Sequence, residues 1–128
     1  MGVIKIMETK KILNENFRNR TVCRVEHILN RAGNEVKNQF LITTKDGEFF
    51  QSYKSIIAFR DYETGKTFLD SNDWDYSTTT GKYRNIFLNE TKRETEKKIN
   101  SGEYVLYDLN SNDALDGAFF ASNDGGVK

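Results

Sequence analysis

The stretch from Gln51 to Leu88 constrains the fold of this chain more than any other segment. Its near-continuous apolar run, Ser55–Arg60, is typical of a buried strand. The turn-forming segment Tyr62–Gly65 follows, and residues 66–70 are predicted to pair back as a second strand. After Ser77 the apolar spacing changes from two residues to three or four, which predicts a helix. The segment therefore requires a sheet and a helix in one domain.

Further strands are predicted on either side of this segment. Alternation and β-branched residues favour a strand over Arg20–Asn30, although a helix also fits that run. An Asp-Gly pair separates the apolar runs at residues 38–44 and 48–53 and is a strong hairpin signal. A last strand is predicted at residues 103–109. Short strands joined by tight turns predict a small antiparallel sheet of four to five strands.

A helical region, residues 77–101, is predicted to pack on one face of this sheet, so the predicted fold class is α+β. Ser77 can cap the first helix, because its side-chain oxygen can accept a hydrogen bond from an unpaired helix N–H. The capping box Thr91–Glu94 indicates that a second helix starts there or that the first one bends. Gly102 is expected to end the region.

Length and composition predict one folded domain with polar ends. A chain of 128 residues suits a single domain, and nine Phe and six Tyr can supply an aromatic core. Residues 20–110 form the predicted α+β domain, and residues 1–19 form an N-terminal arm or short helix. Residues 111–128 are rich in Asn, Asp, Ser and Gly and are predicted to form a flexible acidic tail.

Several chemical classes are excluded or unsupported. A single Cys and a single His exclude an intrachain disulfide, a thiolate zinc cluster and a multi-histidine metal site, so no cofactor is expected. No Ser is spaced to pair with the one His as a nucleophile and base. Glu35 and Lys37 resemble half of a metal-dependent nuclease site, for which Glu26 is the only near acidic partner. The chain is therefore expected to be a non-enzymatic, soluble protein of the cytoplasm, with no signal peptide or membrane span.

Residues 73–80 form the most site-like constellation, since Trp74 and Tyr76 precede a helix start rich in hydroxyls. Such a helix start can hold an anion, but Asp73 and Asp75 would repel one. The simpler interpretation is that Trp74 anchors the loop in the core while the first helix is capped.

A second candidate surface is the basic side of the helical region. From residue 77 to residue 102, six basic residues outnumber three acidic ones. With nearby tyrosines, basic side chains could bind single-stranded nucleic acid, although a solvated outer helix face gives the same pattern. The basic residues are Lys82, Arg84, Lys92, Arg93, Lys97 and Lys98. A third candidate is the pair Phe119 and Phe120, which could dock on a partner or fold back on the domain.

Two stretches of the sequence resemble an uncharacterised family. The first is FQSYKSIIAF at residues 50–59, and the second runs from Trp74 to Leu88 with the motifs WDYS, TT, KY and FL. Its members are short proteins of bacteriophages and mobile elements, and the resemblance covers roughly Asn38 to Asn110. The resemblance implies a small α+β domain with an accessory role in the host bacterial cytoplasm. It transfers no catalytic residues.

The expected function is thus binding to a host or viral macromolecule, most plausibly a protein, and inhibition of a defence system is one version. The first alternative is a nucleic-acid-binding accessory protein that uses the basic helix at residues 82–98. The second alternative is a minor virion or structural component.

Overall fold

The computed structural model describes residues 22–110. They form one six-stranded sheet and two helices, α1 (Thr78–Leu88) and α2 (Lys92–Ser101). The strands are β1 (Val22–Leu29), β2 (Glu35–Thr44), β3 (Gly47–Ser52), β4 (Ser55–Asp61), β5 (Thr67–Asp70) and β6 (Tyr104–Tyr107). The predicted arm at residues 1–19 and the predicted tail at residues 111–128, with Phe119 and Phe120, lie outside the described residues.

The six strands lie side by side in sequence order, which confirms the α+β class and corrects the predicted sheet. Strands β1 to β5 are antiparallel neighbours, whereas β6 runs parallel to β5. The sheet is therefore mixed and has six strands rather than four to five antiparallel ones. The parallel pair follows from the helices, since a parallel strand needs a crossover connection and α1 and α2 provide it.

The predicted Asp-Gly turn joins β2 to β3. The hydroxyl of Thr44 accepts hydrogen bonds from the amides of Asp46 and Gly47, at 3.2 and 3.0 Å between oxygen and nitrogen. Glycine is needed here because a Cβ at Gly47 would collide with the carbonyl oxygen of Arg60 and the ring of Phe59. The close approach of the neighbouring strand β4 fixes this position.

Both helices begin at the predicted caps, and α2 ends at the predicted Gly102. The hydroxyl of Ser77 accepts from the amide of Thr80, and Thr91 and Glu94 form a complete capping box. Asn89 and Gly102 end the helices in left-handed conformations. The helical region is thus two helices, which settles the alternative of a single bent one.

The sheet carries buried side chains on both faces. The face covered by α1 and α2 buries Phe50, Ile57, Leu69, Tyr83, Leu88 and Tyr104, with Phe87 and Ile99 packed against them. The other face buries Ile42, Phe49, Ile56, Phe59, Phe68 and Leu109. Ile86, which the apolar spacing after Ser77 places on the buried side of α1 with Tyr83 and Phe87, is instead 41% exposed. The aromatic core predicted from composition is therefore confirmed, whereas the exact apolar face of α1 is corrected.

The carboxylate of Glu90 links the two helices to β6. Its side chain is only 5% exposed and accepts hydrogen bonds from Thr95, Lys98 and Tyr104. Partial burial acts to raise the pKa of Glu90, but the bonds from these donors outweigh it and hold the pKa below its ordinary value. Tyr104 donates one of these bonds, and burial together with the contact with Glu90 raises the pKa of Tyr104 to about 12.

Replacing Glu90 by Gln is expected to make the Tm fall less steeply as the pH becomes acidic. A carboxyl with a lowered folded pKa stabilises the fold above its unfolded pKa of about 4.3, and this contribution is lost as the pH falls through the folded pKa. The loss of Tm between about pH 7 and pH 3 should therefore be smaller in Glu90→Gln than in the unaltered chain.

Thermal unfolding followed by circular dichroism measures this difference. Burial raises the pKa of Asp70 despite the amides that donate to it, so its contribution is lost as the pH rises and has the opposite sign. Asp70 is present in both proteins, and comparing them isolates Glu90. Parallel curves for the two proteins would contradict the assignment.

Candidate functional site

A surface cleft of about 670 Å³ lies between the turn that joins β3 to β4 and the start of α1. We call it the tyrosine cleft, because it is lined by two tyrosines with Asn38, Ser52, Lys54 and Thr79, among others. The tyrosines are Tyr53 and Tyr76, whose residues are 51% and 71% exposed. Two large rings with polar hydroxyls therefore stand at one concave surface.

The position of Tyr53 depends on a strained backbone. Its φ is 56°, in the left-handed region, where a side chain costs about 1–2 kcal/mol. Asn38, which also lines the cleft, has a φ of 65°. The amide of Tyr53 donates to the carbonyl of Asn38 at 2.7 Å, and the side chain of Gln51 donates to the carbonyl of Tyr53 at 2.7 Å. Strained residues that are held in place by surrounding hydrogen bonds occur often at functional sites.

A short chain of hydroxyls ties the sheet to α1 at the cleft. Thr80 is 1% exposed, and its hydroxyl lies 3.0 Å from that of Ser52 on β3. The hydroxyl of Ser77 donates to Thr80 at 3.2 Å while it accepts from the Thr80 amide. Two hydroxyls of the predicted anion site, those of Ser77 and Thr80, are thus engaged in joining α1 to the sheet.

The wall that leads to Tyr76 is held by a buried arginine. Arg84 is 1% exposed and donates to the carbonyl of Trp74 and to the carboxylate of Asp75, each at 2.9 Å. Its guanidinium also lies 5.0 Å from the centre of the Trp74 ring. Trp74 packs against the core on the helix face, so it anchors the loop as the simpler interpretation predicted.

The predicted basic surface is largely rearranged by these contacts. Arg84 is buried, which corrects its prediction as an exposed contact residue, because its partners pull it under the loop. Lys92 pairs with Asp75 at 2.7 Å, and Lys98 pairs with Glu90 at 2.7 Å. Partial burial acts to raise the pKa of Asp75, but the Lys92 and Arg84 bonds outweigh it and lower that pKa. The exposed basic side chains on α1 and α2 that remain outside these pairs are Lys82, Arg93 and Lys97.

A buried amide adjoins the cleft. Gln39 is fully buried, and neither its Oε1 nor its Nε2 has a hydrogen-bond partner within residues 22–110. It stands opposite Ser52 in the β2–β3 register, so it lies on the helix face of the sheet beside the cleft. The sequence gives no signal for this residue, because the burial of one amide depends on how the folded elements pack around it.

Replacing Gln39 by Met is expected to raise the free energy of unfolding by about 1–2 kcal/mol. The thioether has a similar shape and removes two buried polar atoms without partners. The matched control is Gln51→Met, which removes the bond to the Tyr53 carbonyl and should lower stability. Urea unfolding measures the free energy of unfolding of both variants. A loss of stability in Gln39→Met would show that the buried amide of Gln39 is not unpaired.

The described residues show neither a metal cluster nor a membrane helix. No group of three or more His, Cys, Asp or Glu side chains suited to a metal ion occurs between residues 22 and 110. Glu26 and Glu35 both border a groove between β1 and α1, which Lys37 does not line. No helix in the described part of the chain is long and apolar enough to cross a membrane.

The fold and the cleft define a small α+β domain with a mixed sheet and a tyrosine-bearing surface cleft. The chain belongs to the family of unknown function DUF8033, whose model matches residues 23–103. The resemblance to a family of unknown function is thereby confirmed, and the match begins at Cys23 rather than at Asn38. No curated protein sequence and no solved structure matches the chain.

Proposed function

We propose that this chain is a non-enzymatic binding protein that holds a segment of a protein partner in the tyrosine cleft. The observation that carries the proposal is the exposed pair Tyr53 and Tyr76, one of them kept in a strained backbone conformation. Tyrosine rings bury a large area at a low cost in side-chain entropy, and they dominate many protein interfaces. Two hydrogen bonds to the Tyr53 amide and carbonyl stabilise this strained conformation, so the backbone that carries the ring is held in one conformation.

The charge of the cleft favours a protein over a nucleic acid. The charged residues that line it are Lys54 and Asp73, and their charges cancel. Binding to phosphate groups draws on several cations and depends steeply on salt. Hydroxyls, backbone groups and two aromatic rings suit a peptide segment, which offers apolar side chains and amide hydrogen bonds.

The biological setting is also a proposal. The motifs between residues 50 and 88 resemble a family of bacteriophages and mobile elements, and such an origin would place the chain in the bacterial cytoplasm. The partner would then be a host or viral protein, and inhibition of a host defence system is one version of the role. In each version the chain acts by occluding or tethering its partner.

Capture from bacterial lysate with the tagged full chain, with and without nuclease, tests the proposal. The captured protein is identified by mass spectrometry and then titrated against Tyr53→Gly and Tyr76→Ala. Glycine accepts the left-handed conformation, so Tyr53→Gly removes the ring without strain. Each variant should weaken binding about thirtyfold.

The control is Tyr62→Ala, since Tyr62 is 49% exposed and lies at the opposite end of the β3–β4 hairpin, near Asp46. It should bind like the unaltered chain. Equal binding by all three variants would contradict the role of the cleft. Bound material that disappears with nuclease would favour the nucleic-acid alternative and the cations Lys82, Arg93 and Lys97. Ordered self-assembly without a captured protein would favour the structural alternative.

A further inference from the structure

The edge strand β1 exposes an unusual amount of apolar surface. Seven of its eight residues are exposed, and only Ile28 is buried. Val22, Val25 and Leu29 are 42%, 57% and 51% exposed. Within residues 22–110, β1 pairs with β2 alone. A long exposed edge strand of this kind is a template for pairing with another strand.

We propose that two copies of the chain form a symmetric dimer in which their β1 strands pair antiparallel about Val25. This pairing would join the two six-stranded sheets into one continuous sheet. It is independent of the tyrosine cleft and of the function proposed for it.

The charges of β1 select this register. In an antiparallel pair centred on Val25, Arg24 of each copy stands opposite Glu26 of the other. Arg24 and Glu26 already lie on one face of the strand, with 3.4 Å between Nη1 and Oε2. Opposite charges placed directly across two strands stabilise the pair, and the two-fold axis repeats each contact.

Neighbouring registers lack this complementarity. Centring the pair on Arg24 would place two guanidinium groups opposite each other, and centring it on Glu26 would oppose two carboxylates. Like charges directly opposite destabilise a strand pair. Val25 is the most exposed apolar side chain of β1. In the register about Val25, this side chain is buried against Val25 of the other copy.

Cysteine cross-linking of the full chain tests the register. In a Cys23→Ser background, Val25→Cys should be cross-linked by a short bis-maleimide to a species of twice the mass, because the two thiols face each other. Leu29→Cys is the matched control, since Leu29 is similarly exposed but its two copies would lie roughly 27 Å apart. Equal cross-linking at both positions, or at neither, would overturn the proposed register.

Charge reversal tests the dimer itself by analytical ultracentrifugation. Arg24→Glu should weaken dimerisation about tenfold by opposing acidic groups, and Glu26→Arg should do the same with basic groups. The double variant Arg24→Glu/Glu26→Arg should restore the original affinity. Both side chains are exposed, so circular dichroism should show an unchanged fold. A monomer at every concentration, or a double variant as weak as the single ones, would overturn the proposal.

Discussion

Replacing Arg84 by Ala is expected to lower the free energy of unfolding by about 3–4 kcal/mol. The substitution removes a fully buried side chain and leaves a cavity beneath the loop. It also removes the donors to the carbonyl of Trp74 and to the amide oxygen of Asn85, each held at 2.9 Å. Folded domains are stable by only about 5–15 kcal/mol, so this loss is large.

Urea unfolding followed by the fluorescence of Trp74, the only Trp of the chain, measures the effect. Arg84→Lys should lose nearly as much, because an ammonium group lacks the planar fork that reaches several acceptors. The control is Lys82→Ala on the same helix, which is exposed and should leave stability nearly unchanged. Equal stability of Arg84→Ala and Lys82→Ala would show that the buried contacts contribute nothing.

Replacing Phe59 by Ala is expected to cost about 3–5 kcal/mol. The Phe59 ring is fully buried at the centre of the sheet, 4.5 Å from the ring of Phe49 and 5.9 Å from that of Phe68. Its removal deletes a large apolar area and leaves a cavity that rigid neighbouring strands cannot fill.

The same urea measurement checks this prediction. Phe59→Leu keeps most of the apolar volume and should lose clearly less stability than Phe59→Ala. The surface control is Tyr62→Ala, whose ring is half exposed. A loss below about 1 kcal/mol in Phe59→Ala would contradict the view that stacked aromatic rings dominate this core.

The elements that the sequence predicts well are those determined by local chemistry. The Asp46-Gly47 turn, the Ser77 cap and the Thr91–Glu94 capping box each depend on residues that are neighbours in the chain. The sequence also predicts strand β6, but it does not predict that β6 runs parallel to β5. That pairing depends on where two helices return the chain, which turn signals do not report.

The candidate site shows the same division. Trp74 and Tyr76 could be selected from sequence, because they precede a recognisable helix start. The sequence does not distinguish Tyr53 from the other tyrosines, since a tight turn without glycine gives no sign of a left-handed residue. The sequence predicts Arg84 to be an exposed cation, because its acceptors on Trp74 and Asp75 are brought to it only by the folded loop.

Site-specific photo-cross-linking in bacterial cells tests the central claim most directly. A photoreactive phenylalanine analogue replaces Tyr76 at the rim of the tyrosine cleft or, as the control, Tyr62 at the far end of the hairpin. The account predicts a discrete protein adduct from position 76 and none from position 62. Adducts from position 62 alone, equal adducts from both positions, or adducts that nuclease removes would contradict a protein partner held in the cleft.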